Sequence, residues 1–151
     1  MLIEYTPEGG DTELLDAGRM RASEVQAIER TADMKWPAVL AGLEDGDVTA
    51  VRVVGWAVKK RSQPTLRLAD FDPYDDEVRV RLDAREVPRY VAELVRRYGD
   101  EPDNLAAAFE ELREVAHDRE ACELAIKEAQ APKAPGPDPA PTAEMTGSPT
   151  G

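Results

Sequence analysis

Val48-Thr49-Ala50-Val51-Arg52-Val53-Val54-Gly55-Trp56-Ala57-Val58 is the stretch on which the fold turns. Its β-branched residues favour a strand. Its length and its ends favour a helix over residues 48–61: Asp47 is a good N-cap, and Lys59, Lys60 and Arg61 suit the negative end of a helix dipole. Apolar side chains fall on nearly every face until Lys59, which predicts a helix buried at the centre of the molecule. Pro64 follows the stop.

Toward the N-terminus, Trp36-Pro37 opens a short helix that runs through Val39, Leu40 and Leu43 and stops before Gly46. Ser23, three residues before Gln26, has the spacing of a capping box and predicts a helix with Val25, Ile28 and Ala32 on one face. Leu2-Ile3-Glu4-Tyr5 and Thr12-Glu13-Leu14-Leu15 flank the turn formers Pro7-Glu8-Gly9-Gly10-Asp11, a hairpin over residues 2–16. Downstream, residues 64–76 form an irregular acidic connection anchored by Leu66, Leu68 and Phe71. The alternation in Glu77-Val78-Arg79-Val80-Arg81-Leu82 is that of a half-buried strand, either joined to the hairpin or standing as a lone flap. A fourth helix starts near Pro88 and ends with Gly99 at C′; a fifth covers residues 103–130. The expected fold is mainly α with a small β element: a compact helical bundle preceded by a short hairpin, one globular domain over residues 1–130. Residues 131–151 hold six of the twelve prolines and one large apolar side chain, Met145, and are expected to be a disordered tail.

Composition bounds the chemistry. Lys plus Arg is 19 and Asp plus Glu is 31, a net charge of −12. That balance argues against a protein that neutralises phosphates and against one that docks on an anionic membrane. The start Met1-Leu2-Ile3-Glu4-Tyr5 has neither the basic residues nor the apolar run of a signal peptide. One cysteine, Cys122, allows no internal disulfide and fits a reducing cytoplasm. His117 is the only histidine, and its spacing to Cys122 does not align the two on a helix face. Neither reads as catalytic or as part of a zinc site, no glycine-rich phosphate loop is present, and no cofactor is expected. Residues 70–77 are acidic, but Tyr74 and Asp75 stand where a calcium loop needs an oxygen ligand and a glycine.

One family shares a run of elements with residues 20–75. Arg21-Ala22-Ser23-Glu24-Val25-Gln26-Ala27-Ile28-Glu29-Arg30 resembles the S-E-x-x-A-I-E-R opening of tail assembly chaperones from long-tailed actinobacterial phages. The order then continues through Trp36, Gly46-Asp47 with Ala50, Trp56, Lys60, Arg61 and Pro64-Thr65-Leu66-Arg67, followed by Asp70-Phe71-Asp72. Where the family often has Thr-Gly after Glu-Arg, this chain has Thr31-Ala32-Asp33, and residues 77–130 match no motif of it. The resemblance implies a non-enzymatic protein of the infected host's cytoplasm, not carried into the mature virion. Its partners would be the tape measure protein, which such chaperones keep soluble, and the tail tube protein, with self-association also open.

Candidate partner contacts are Trp36, Trp56, Leu105, Phe109 and Leu112. For Trp56 and its valines a core stripe is the commoner origin, and Trp36 is read first as a core anchor. Residues 52–69 carry Arg52, Lys59, Lys60, Arg61 and Arg67 and no acid, an asymmetry that could orient subunits or simply be solvated. The rival function is an acidic mimic of duplex DNA that inhibits a DNA-binding enzyme; the basic stretch interrupts its anionic face.

Overall fold

The structure is a computed structural model that describes residues 1–131; the tail expected from residue 131 lies outside the described residues apart from Ala131 itself. The chain is mainly helical with one small sheet. The elements run β1 (Leu2–Tyr5), β2 (Glu13–Asp16), α1 (Ala22–Ala32), α2 (Trp36–Asp45), α3 (Val48–Lys59), β3 (Val78–Arg81), α4 (Val87–Tyr98), α5 (Pro102–Val115) and α6 (Arg119–Gln130), with 3₁₀ turns at Leu68–Asp70 and Asp75–Glu77.

α3 is the central helix. The Asp47 carboxylate accepts the Ala50 N–H at 2.8 Å, and every residue from Val53 to Lys59 is buried. Gly46 turns the chain out of α2 in the left-handed conformation (φ 72°), where a side chain would be strained. Gly42 makes the corner tight, since a Cβ there would lie 2.9 Å from that of Ala50. Gly55 does the same for the Phe71 ring, 3.2 Å from where its Cβ would be. Lys59 is buried because the Glu13 carboxylate accepts from its ammonium at 2.9 and 3.0 Å.

The strand at 78–81 joins the hairpin, giving an antiparallel sheet of order β2-β1-β3. Ile3 sits opposite both Leu15 and Val80, so these three share the face that packs on the first apolar cluster. α1, α2 and α3 complete that cluster. A second cluster gathers Leu82, Val87, Val91, Phe109, Leu112, Ala116, Cys122, Ala125 and Ile126 from α4, α5 and α6. The single unit expected for residues 1–130 thus carries two cores, and ion pairs and hydrogen bonds cross the seam between them. Across it the Met1 ammonium pairs with Glu86, and Arg85 with Asp16 at 3.2 Å. Arg81 pairs with Glu4 at 3.0 Å and donates to the Glu114 carbonyl, while the Tyr90 hydroxyl donates to Glu44 at 3.2 Å.

Four local expectations are corrected. The helix expected over 103–130 is two helices, because residues 116–118 leave helical geometry: Ala116 is extended and the Asp118 carboxylate caps α6 through the Ala121 N–H at 2.9 Å. α1 begins at Ala22, one residue before Ser23, because Glu24 rather than Gln26 supplies the returning carboxylate, accepting the Arg21 N–H at 2.7 Å. α3 ends at Lys59 instead of Arg61. Gly99 stays right-handed (φ −57°), so it closes α4 without the left-handed turn.

Candidate docking groove at the sheet edge

β3 is an edge strand, and its pairing parity fixes which backbone groups are free. The Thr6 N–H donates to the Glu77 carbonyl at 2.8 Å, so in the register Glu4↔Arg79 and Leu2↔Arg81 the odd-numbered residues bond β1. The N–H and C=O groups of Val78, Val80 and Leu82 therefore point away from it. Leu82 is satisfied by the chain's own backbone: its N–H donates to Val115 at 2.9 Å and its carbonyl accepts from His117 at 3.0 Å, a parallel bridge to Ala116. Among the described residues no hydrogen bond takes up Val78 or Val80. A fourth strand position is thus filled beside Leu82 and open beside the two valines.

That opening is a groove. The α2–α3 corner walls it with Leu43, Glu44, Asp45, Gly46, Val48 and Val51 around a space of about 360 Å³. It continues past Glu44, Val80 and Arg81 into a more apolar space of about 220 Å³ lined by Met1, Leu82, Tyr90 and Val115. Val48 and Val115, 54% and 43% exposed, are large apolar side chains facing water here. The Tyr90 hydroxyl donates to Glu44, which lines both spaces; burial pushes that hydroxyl up, with the Glu44 charge adding to it. Arg79 is exposed on the opposite sheet face from Val78 and Val80 and takes no part in the ion pairs among the described residues.

The residues singled out in the sequence lie elsewhere. Trp56 is 9% exposed, with its indole N–H donating to the Leu66 carbonyl at 3.0 Å and the Lys60 ammonium 4.9 Å from its ring. Trp36 is half-buried against the first cluster, and Leu105 is half-buried against the second. Phe109 and Leu112, at 2% and 4%, are core residues with no surface to offer in this state, a correction to their reading as contacts. The basic stretch is engaged within its own unit: Arg52 with Asp72, Lys59 with Glu13, Arg61 with Glu24 and Arg67 with Asp70. Cys122 is buried, and its thiol is pushed up by that burial. Val48 opens an apolar run and Val115 closes α5, so the exposure of each shows only once the neighbouring elements are placed.

Fold and groove together give a two-core helical scaffold whose edge strand leaves the backbone groups of Val78 and Val80 open beside an apolar wall. Compared with protein-family models, curated proteins and solved structures, the chain matches none.

Proposed function

We propose that this chain is a non-enzymatic tail assembly chaperone of a long-tailed actinobacterial phage or prophage. It acts in the cytoplasm of the infected host, binds and solubilises the tape measure protein, helps recruit tail tube subunits, and is left out of the mature virion. The supporting observation is that the motif elements shared with that family interlock. Glu24 holds Arg61 through two bonds of 2.8 Å, and Glu29 accepts the Trp36 N–H at 2.8 Å. Asp47 caps at Ala50, the Trp56 indole N–H donates to the Leu66 carbonyl, and Arg67 pairs with Asp70 at 2.9 Å. Spacings scattered over residues 20–75 thus describe one folded unit, which is what a shared architecture requires. The groove beside β3 supplies the contact surface.

Coexpression with the tape measure protein tests the reading. The client is expected in the soluble fraction only when the chain is present. Val48→Asp should abolish that effect while changing the chain's own stability by less than about 0.5 kcal/mol, because an acid in the first turn of a helix is favourable and the site is exposed. A client equally insoluble with and without the chain would overturn the function.

One observation favours the DNA-mimic alternative: pairing of Arg52, Lys59, Arg61 and Arg67 within the first unit removes most of the positive interruption to an acidic surface. Duplex DNA and this chain would then compete for one enzyme, and failure to compete removes that reading.

A further inference from the structure

We propose that α6 of one copy of this chain docks on the cleft between α1 and α3 of another, with Leu124 as its anchor, so that copies join head to tail.

The cleft arises where small residues face each other across two packed helices. Ala27 on α1 and Ala57 on α3 leave a space of about 250 Å³, with the buried Trp56 as its large apolar lining residue. Arg21, Lys60 and Arg61 line it against one acid, Glu24. Glu24 is committed to Arg61 through two bonds of 2.8 Å. Among the described residues neither Arg21 nor Lys60 makes an ion pair, although Lys60 directly follows Lys59 and precedes Arg61, which both do. The Lys60 ammonium lies 4.9 Å from the centre of the Trp56 ring, so positive charge stands beside the apolar lining. An occupant that suits this cleft brings an apolar side chain flanked by carboxylates.

α6 carries that pattern. It sends Cys122, Ala125 and Ile126 into the second cluster but leaves Leu124 57% exposed. Glu120 and Glu128 stand four residues before and after Leu124, on the same side of the helix and about 6 Å away along its axis. Both are exposed, and among the described residues neither makes an ion pair, whereas Glu123 of the same helix is held by Arg113. The result is a ridge with one apolar group between two available acids.

Every copy offers both patches, one on each of its two cores. A contact that uses two different patches is heterologous and passes from copy to copy, ending in a closed ring or an open filament. The net charge of −12 makes most approaches between copies repulsive; the approach that sets carboxylates beside Arg21 and Lys60 relieves that repulsion. Exposed ion pairs contribute little singly, so burial of Leu124 against Trp56 supplies the affinity and the acids supply the orientation. One ridge in one cleft is an interface of the small class, below about 1,200 Å² in total, so association is weak and grows with concentration. The proposal stands apart from the chaperone reading, because it uses neither the β3 edge nor a client.

Sedimentation equilibrium of the full-length protein at low salt, from micromolar to millimolar concentration, tests it. The average mass is expected to climb above that of one chain as concentration rises. Leu124→Asp should weaken association at least about tenfold, and so should Arg21→Glu combined with Lys60→Gln. None of these residues is buried, so the urea midpoint should scarcely move in either variant. Each variant keeps one patch intact, so an equimolar mixture of the two should recover dimers and nothing larger. The mass of a single chain at every concentration overturns the proposal, as does association that survives Leu124→Asp. A mixture that stays monomeric overturns the head-to-tail pairing. Association that Val48→Asp removes and the other variants leave intact also overturns it, and assigns the contact between copies to the β3 edge.

Discussion

Phe109→Ala is expected to lower stability by about 3–5 kcal/mol, with urea unfolding as the readout. The ring is 2% exposed, and α4, α5 and α6 gather Val91, Leu112, Cys122 and Ile126 into the same cluster. Truncation removes the apolar transfer term and leaves a cavity that three helices joined by short links cannot fully close. Such a loss is a large share of the roughly 5–15 kcal/mol that holds a domain folded. It corresponds to a fall in melting temperature of about 10–20 °C. Because the cavity lies in the second cluster alone, α4–α6 should open before the sheet and α1–α3 in this variant, giving transitions that differ between probes of the two halves. A partner contact would behave otherwise, with stability nearly unchanged.

Arg61→Ala should cost about 2–3 kcal/mol at pH 7 and flatten the acid side of the stability profile. Arg61 donates to both Glu24 oxygens at 2.8 Å and to the Asp16 and Arg19 carbonyls at 3.2 and 2.8 Å, so it ties the start of α1 and the end of β2 to the end of α3. The hydrogen bonds from Arg61, against the opposing effect of burial, hold the Glu24 carboxyl at about 2, below its ordinary 4.5. The folded chain therefore binds this proton more weakly than the unfolded one. The ion pair contributes fully above pH 4.5, and its contribution is lost as pH falls toward 2. Asp83, held at about 2 first by its bond from the Arg85 side chain, adds to the same window. In the Arg61 variant the loss of stability across that window should shrink to the part that Asp83 and the other paired carboxylates supply, measured by urea titrations from pH 6 to 2.5.

Much of the architecture is written in local patterns. Asp47 and the unbroken apolar surface of Val53-Val54-Gly55-Trp56 mark α3 as a capped, central helix, and alternation in Val78-Arg79-Val80-Arg81 marks a strand. Phe71 anchors the loop after α3 as its isolation among polar residues suggests. The break at residues 116–118 leaves only a faint trace in the sequence, a six-residue step from Ala116 to Cys122 in a stripe otherwise spaced by three and four. What ends the helix is the backbone pairing with Leu82, a contact from another part of the chain. The groove is hidden for the same reason. Its existence depends on Glu4 and Arg81 meeting across 77 residues, and no window of sequence encodes that register. Aromatic residues attracted attention as contacts, yet in a chain with only 5% aromatics they are what the cores require.

Site-specific photocrosslinking during coexpression with the tape measure protein tests the central claim, that the edge of β3 is where another chain's apolar segment docks. A photoreactive residue at position 48 should form an adduct with the client. The same group at position 124, equally exposed at 57% on α6 but outside the groove, should not. Adducts from position 124 with none from position 48 would contradict it.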